Sequence, residues 1–168
     1  MNRIKYLAEN ICEFETIIQE FGGELIGCSE QEISNLESRL PPVYKLPIAY
    51  KEFLLYGGKR MGNLFRGIDI SYSMVECLLK NQYRDIIQMI KPWDSQIKLP
   101  PDLFIINEHL GSNFTYFYLT EGENPPIFWW EEGEGGLEVS VKESDSFSEF
   151  LHRKINTYKK KWVTLSNL

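Results

Sequence analysis

Histidine is scarce in this chain, cysteine is sparse, and no apolar run is long. His109 and His152 are the only histidines in 168 residues. Neither lies near a Cys, Asp or Glu at a spacing known to make a nucleophile, a general base or a metal site. His152 is expected near the end of a last helix and His109 in a hairpin turn, both without a catalytic task. The three cysteines, Cys12, Cys28 and Cys77, form no C-x-x-C pair and no regular ligand spacing, so they read as reduced thiols. No calcium-loop spacing occurs among the acidic residues, and no metal or other cofactor is expected. The glycines of GGKRMGNLFRG, residues 57–67, lack the order of a phosphate loop and follow a helical pattern where such a loop follows a strand. No stretch approaches eighteen consecutive apolar residues, and Glu9, Glu13, Glu15 and Glu20 interrupt the start of the chain. The expectation is a soluble, cytoplasmic protein with no membrane partner.

What is present suits one domain. Hydrophobic residues make up 43% and charged residues 25%. A chain of this length buries roughly 70% of its unfolded surface, which excludes disorder and disulfide-stapled scaffolds. The net charge of −6 opposes attraction to phosphate backbones, so nucleic acid is not an expected partner.

Apolar spacing of three and four predicts a helix over 4–21, stopped by Gly22-Gly23. Ser29-Glu-Gln-Glu32 is a capping box that opens a second helix, and Pro47 opens a third that ends at Gly57-Gly58. Ser73-Met-Val-Glu76 predicts another box before one broken or two short helices that run to Pro92. From Leu99 the character changes to short branched and aromatic runs at 103–106, 114–119, 127–130 and 137–141, which read as antiparallel strands. Ser146-Phe-Ser-Glu149 then caps a last amphipathic helix that reaches Trp162. The expected fold is a single α+β domain over 1–168. A helical part spans about 1–92, a largely antiparallel sheet about 99–141, and a C-terminal helix about 146–162.

The run GCSEQEISNLESRLPPVYKLPIAYKEFLLYGG, residues 27–58, resembles the N-terminal signature of the SUKH superfamily, named for fungal Smi and Knr cell-wall regulators and their bacterial relatives. The matching positions are Glu32-Ile33, Leu36-Glu37, Leu46-Pro47, Tyr50, Phe53-Leu54 and Gly57-Gly58. LPPDLFIIN at 99–107, Gly111, Pro126 and SFSEFL at 146–151 follow in the order such domains use. The chain departs from the pattern in carrying two Leu-Pro steps, at Leu40-Pro41 and Leu46-Pro47. The resemblance implies a binding protein without a shared catalytic centre. Bacterial members are mostly immunity proteins that neutralise a cognate toxin, often a nuclease or deaminase. Fungal members regulate cell-wall glucan synthesis through protein contacts.

Charge is distributed unevenly. Residues 103–146 hold nine acids and one base, and Glu121 to Glu138 includes six glutamates with no lysine or arginine. Strand alternation sends Ile127 and Trp129 to one face and Phe128 and Trp130 to the other. Either one aromatic pair faces outward, with Trp130 the expected exposed anchor, or helices cover both faces and the glutamates only solubilise a turn. In the first case Glu121, Glu123, Trp130, Glu131, Glu132 and Glu134 form a surface for a basic protein toxin. The alternative is an intracellular scaffold or regulator; a weaker one is a carbohydrate-binding or hydrolytic domain that uses Trp and Glu.

Overall fold

Three local signals set the N-terminal helices. α1 (Ala8–Phe21) begins later than its periodicity suggests, and Leu7 at its start offers no side-chain acceptor. Glu52 of α3 (Ile48–Gly57) supplies one from elsewhere in the fold. Its carboxylate accepts the backbone N–H groups of Lys5 at 2.5 Å and of Tyr6 and Leu7 at 3.0 Å. N–H groups at and before a helix start have no acceptor within the helix, and Glu52 satisfies these three. α2 (Glu30–Glu37) carries the expected capping box at Ser29, with both reciprocal bonds formed. Between α2 and α3 the second Leu-Pro step opens the helix, while Leu40 is buried at the first; the connection is tied by Leu46 N–H donating to Glu37 Oε1 at 2.8 Å.

The computed structural model describes residues 4–62, 64, 69–109, 111–133 and 135–166, with the side chains of all of these but Phe21 and 161–166. Beyond the elements above lie β1 (Leu25–Ile26), β2 (Arg60–Met61), α4 (Tyr72–Lys80), α5 (Arg84–Ile90), β3 (Leu103–His109), β4 (Asn113–Tyr118), β5 (Ile127–Glu131), β6 (Val141–Ser144) and α6 (Phe147–Ser166). The broken helical stretch before Pro92 is therefore two helices. β1 and β2 form a two-residue antiparallel pair that the sequence pattern does not announce.

Strands β3, β4, β5 and β6 pair in that order as an antiparallel meander. Phe104, Ile106, Phe117 and Ile127 pack with Tyr50, Phe53, Phe147 and Phe150 on the face covered by α1, α2, α3 and α6. Leu103, Ile105, Phe114, Tyr116 and Trp130 pack with Leu78, Ile86, Met89 and Ile90 of α4 and α5 on the other. Burial on both faces explains why Leu103-Phe-Ile-Ile106 is a continuous apolar run. Tyr50 sits at the centre of the first core, with edge-on rings of Phe104, Phe117 and Phe147 at centroid distances of 5.4, 5.5 and 5.4 Å.

Three expectations need correction. Ser71, not Ser73, caps α4, accepting from Met74 N–H at 3.4 Å, while Ser73 lies inside the helix. The run at 137–141 is not the last strand: Leu137–Val139 is a 3-10 turn, and the strand is Val141–Ser144. Leu137 and Val139 are spent packing on the α4–α5 core, so the polar run that follows makes the ladder instead. His152 lies in the second turn of α6, where its Nδ1 is 3.0 Å from Glu13 Oε2 of α1, rather than near the helix end. Ser146 does cap α6, accepting from Glu149 N–H at 3.1 Å.

Candidate functional site: a tryptophan-centred platform

Helices cover only part of the α6 face of the sheet. Past Phe104, Phe117 and Ile127 the ladder continues as two registered rows. One runs Asn107, Thr115, Trp129, Val141 across all four strands. The next runs His109, Asn113, Glu131. An irregularity between Ile105 and Asn107 resets the phase of β3, so Ile106 enters the core and Asn107 and His109 still share the face of Thr115 and Asn113. Trp129 is half-buried at the centre of this platform, and Val141 beside it is 53% exposed. Glu143 of β6 and Lys154 of α6 close one side, and with the two rows other than Glu131 they bound a cleft of about 480 Å³.

The cleft wall is polar but internally balanced on its α6 side. Lys154 Nζ donates to Glu143 Oε1 at 2.6 Å and lies 5.0 Å from the Phe150 ring centroid. The Arg153 guanidinium donates to the Glu143 carbonyl. Asn107 donates its Nδ2 to the carbonyls of Asp69 and Glu108, at 3.1 and 3.4 Å.

The sequence-predicted acidic pole divides. Glu131 and Glu132 stand at the platform end of β5, the first half-buried and the second exposed, with Glu132 N–H donating to Ser112 O at 2.7 Å. Glu134 lies outside the described residues. Glu121 and Glu123 precede β5, at the opposite end of a strand that spans roughly 17 Å. Glu123 is engaged within the fold: its carboxylate is held by Lys5 and accepts the Tyr6 hydroxyl at 2.6 Å, which lowers its pKa. Glu121 is exposed, and partial burial of its carboxyl raises its pKa.

Trp130 reverses the expectation of an exposed anchor. It is 1% exposed, packs against Phe114 at a centroid distance of 5.2 Å, and donates its indole N–H to the carbonyls of Gly135 and Gly136, both at 3.1 Å. Phe128 and Trp130 both pack on the α4–α5 core, Trp130 buried and Phe128 half-buried, so the aromatic ring that β5 turns to the platform face is Trp129. Alternation alone named both rings; only the extent of helix cover chooses between them. Asn107, Asn113 and Thr115 carry no local signal and join the site only through register.

A larger cavity of about 630 Å³ lies near β2, against Phe53, Met61, Ile70 and Met74, but Gly62, Leu64 and Asp69 on its border adjoin residues 63 and 65–68, outside the described set. Among the described residues no group of His, Cys, Asp and Glu could hold a metal ion, and no helix is long and apolar enough to cross a membrane.

The model of the SMI1 / KNR4 family (SUKH-1) matches residues 27–153. The chain belongs to this family. The SUKH-1 match begins just before α2 and ends within α6, so it contains the whole sheet and every residue of the platform except Lys154. No curated protein matches the chain.

Proposed function

We propose that this SUKH-1 protein is a non-catalytic cytoplasmic immunity protein that binds a basic protein toxin through the face bearing Trp129, Glu131 and Glu132. The observation that supports this reading most is the half-buried indole on the uncovered end of a four-stranded sheet, with carboxylates beside it. A ring fixed on a paired interior strand loses little side-chain entropy when a partner covers it, and tryptophan is enriched among residues that dominate binding energy. The flanking carboxylates give such a site charge selectivity. They attract a surface built to receive phosphates and raise the association rate with a cationic partner toward roughly 10⁸ M⁻¹s⁻¹ at low salt.

Co-expression with the product of the neighbouring gene, scored by growth protection and by association kinetics, tests this reading. The toxin co-purifies with the wild-type chain. Glu131→Lys with Glu132→Lys slows association by about tenfold or more at low salt and flattens its salt dependence. Trp129→Ala instead speeds dissociation. Protection and kinetics unchanged in all three substitutions would place the partner elsewhere. Glu121→Lys is the control, since Glu121 precedes β5, beyond the end of the strand opposite Glu131.

A further inference from the structure

We propose that the cleft beside Trp129 receives a single arginine side chain of the bound protein. This deepens the protein-binding reading above and rests on it only for the identity of the molecule that carries the arginine.

β4 lies between β3 and β5, and β5 between β4 and β6, so the main-chain groups of these inner strands serve the ladder. Recognition falls to side chains. Asn107 has its amide nitrogen on Asp69 O and Glu108 O, and Asn113 has its own on Ser112 Oγ at 3.4 Å. Asn107 thus has both amide hydrogens committed and only its oxygen left for an outside molecule, while Asn113 keeps its oxygen and one N–H. Glu143 gives one carboxylate oxygen to Lys154, and its second, Oε2, is buried without a hydrogen-bond partner. Glu131 adds a carboxylate from the same face, directly across from Asn113. Lys154, the cation in this wall, is neutralised by Glu143 and drawn toward Phe150. His109 and Thr115 in the same wall each offer a donor as well as an acceptor, and the two amide oxygens and two carboxylates then leave the site richer in acceptors than in donors around an indole face.

A guanidinium fits this surplus better than other common groups. It brings five N–H donors and no acceptor, it is planar, and it stacks on indole while its edge donates to carboxylate and amide oxygens. An ammonium is compact and strongly hydrated, and offers no plane to stack. A sugar hydroxyl brings acceptors as well as donors, for which this wall has fewer matches.

The test uses N-acetyl-arginine amide as a probe of the full-length protein, followed by amide and indole chemical shifts. Saturable shifts are expected at Trp129, Asn113, Thr115 and Val141, with a dissociation constant on the order of 1–10 mM for so small a ligand. N-acetyl-lysine amide and the neutral, isosteric N-acetyl-citrulline amide should bind at least about fivefold more weakly. Glu131→Gln should weaken the arginine probe while leaving the spectrum of the free protein folded, and Trp129→Leu should abolish the response. No saturable shift, shifts centred on another surface, or an equal response to the citrulline amide or to methyl glucoside would each overturn the proposal. Because the probe involves no toxin, such a failure leaves the immunity reading standing. Probe binding without co-purification of a toxin would sink the immunity reading and leave the arginine site.

Discussion

Trp129 and Trp130 are adjacent in β5 and point to opposite faces of the same sheet, one onto an open platform and the other into a sealed core. Trp130 is 1% exposed with its indole N–H bound to two carbonyls, whereas Trp129 is half-buried beside Val141, which is 53% exposed. The two rings therefore differ in how much each contributes to stability. Trp130→Ala should lower unfolding free energy by about 3–5 kcal/mol, since it leaves a cavity against Phe114 and two carbonyls without their donor. Trp129→Ala should change it by no more than about 1 kcal/mol. Urea unfolding of both variants checks this, and equal losses would mean that Trp129 is also a core residue.

Glu52 joins α3 to the segment before α1 through three backbone N–H groups. Glu52→Ala should release residues 4–7, with faster amide exchange at Lys5, Tyr6 and Leu7 and a stability loss of about 1–3 kcal/mol. Glu52→Gln keeps an acceptor oxygen and should lose less. Unchanged exchange in the alanine variant would show that the N-terminal segment is held by its side chains alone.

Glu32 combines a capping role with a tertiary ion pair. Lys59 Nζ is 2.7 Å from its Oε1, and Ser29 donates both its N–H and its hydroxyl to Oε2. With Lys59 the larger influence and Ser29 next, the carboxyl is lowered from an ordinary value near 4.5 to about 2. A carboxylate whose folded pKa is depressed stabilises fully above its unfolded value and loses that contribution as pH falls toward the folded one. The wild-type advantage over Glu32→Gln in urea midpoint should therefore shrink between about pH 4.5 and 2. High salt should reduce it at neutral pH, because the pair is partly exposed. A difference that stays constant across this range would remove Glu32 as the titrating group.

Much of the fold can be read from local pattern. The capping box at Ser29 and the glycine pair after α3 are signals contained in a few consecutive residues, and the branched and aromatic runs at 103–106, 114–119 and 127–130 fall where β3, β4 and β5 form. Elements that borrow their partners from distant chain are the ones missed. The N–H groups at the start of α1 find their acceptor in Glu52, and β1 pairs with a segment more than thirty residues away. The 3-10 turn at Leu137–Val139 exists because the α4–α5 core takes those side chains.

The candidate site divides in the same way. Period-two alternation within β5 determines that Ile127, Trp129 and Glu131 share one face and Phe128 and Trp130 the other, since successive side chains of a strand must point oppositely. An acidic segment is equally a property of the sequence. Which face is sealed was decided by tertiary structure: α4 and α5 cover Trp130, while α6 stops covering its face of the sheet beyond Ile127. The division of the glutamates between the two ends of β5 was decided there too, because five extended residues carry Glu121 and Glu123 away from Glu131 and Glu132, and Lys5 and Tyr6 draw Glu123 into the fold. Alternation is a rule for single strands, whereas cover and separation depend on where other elements pack, and that is settled only when the whole chain has folded.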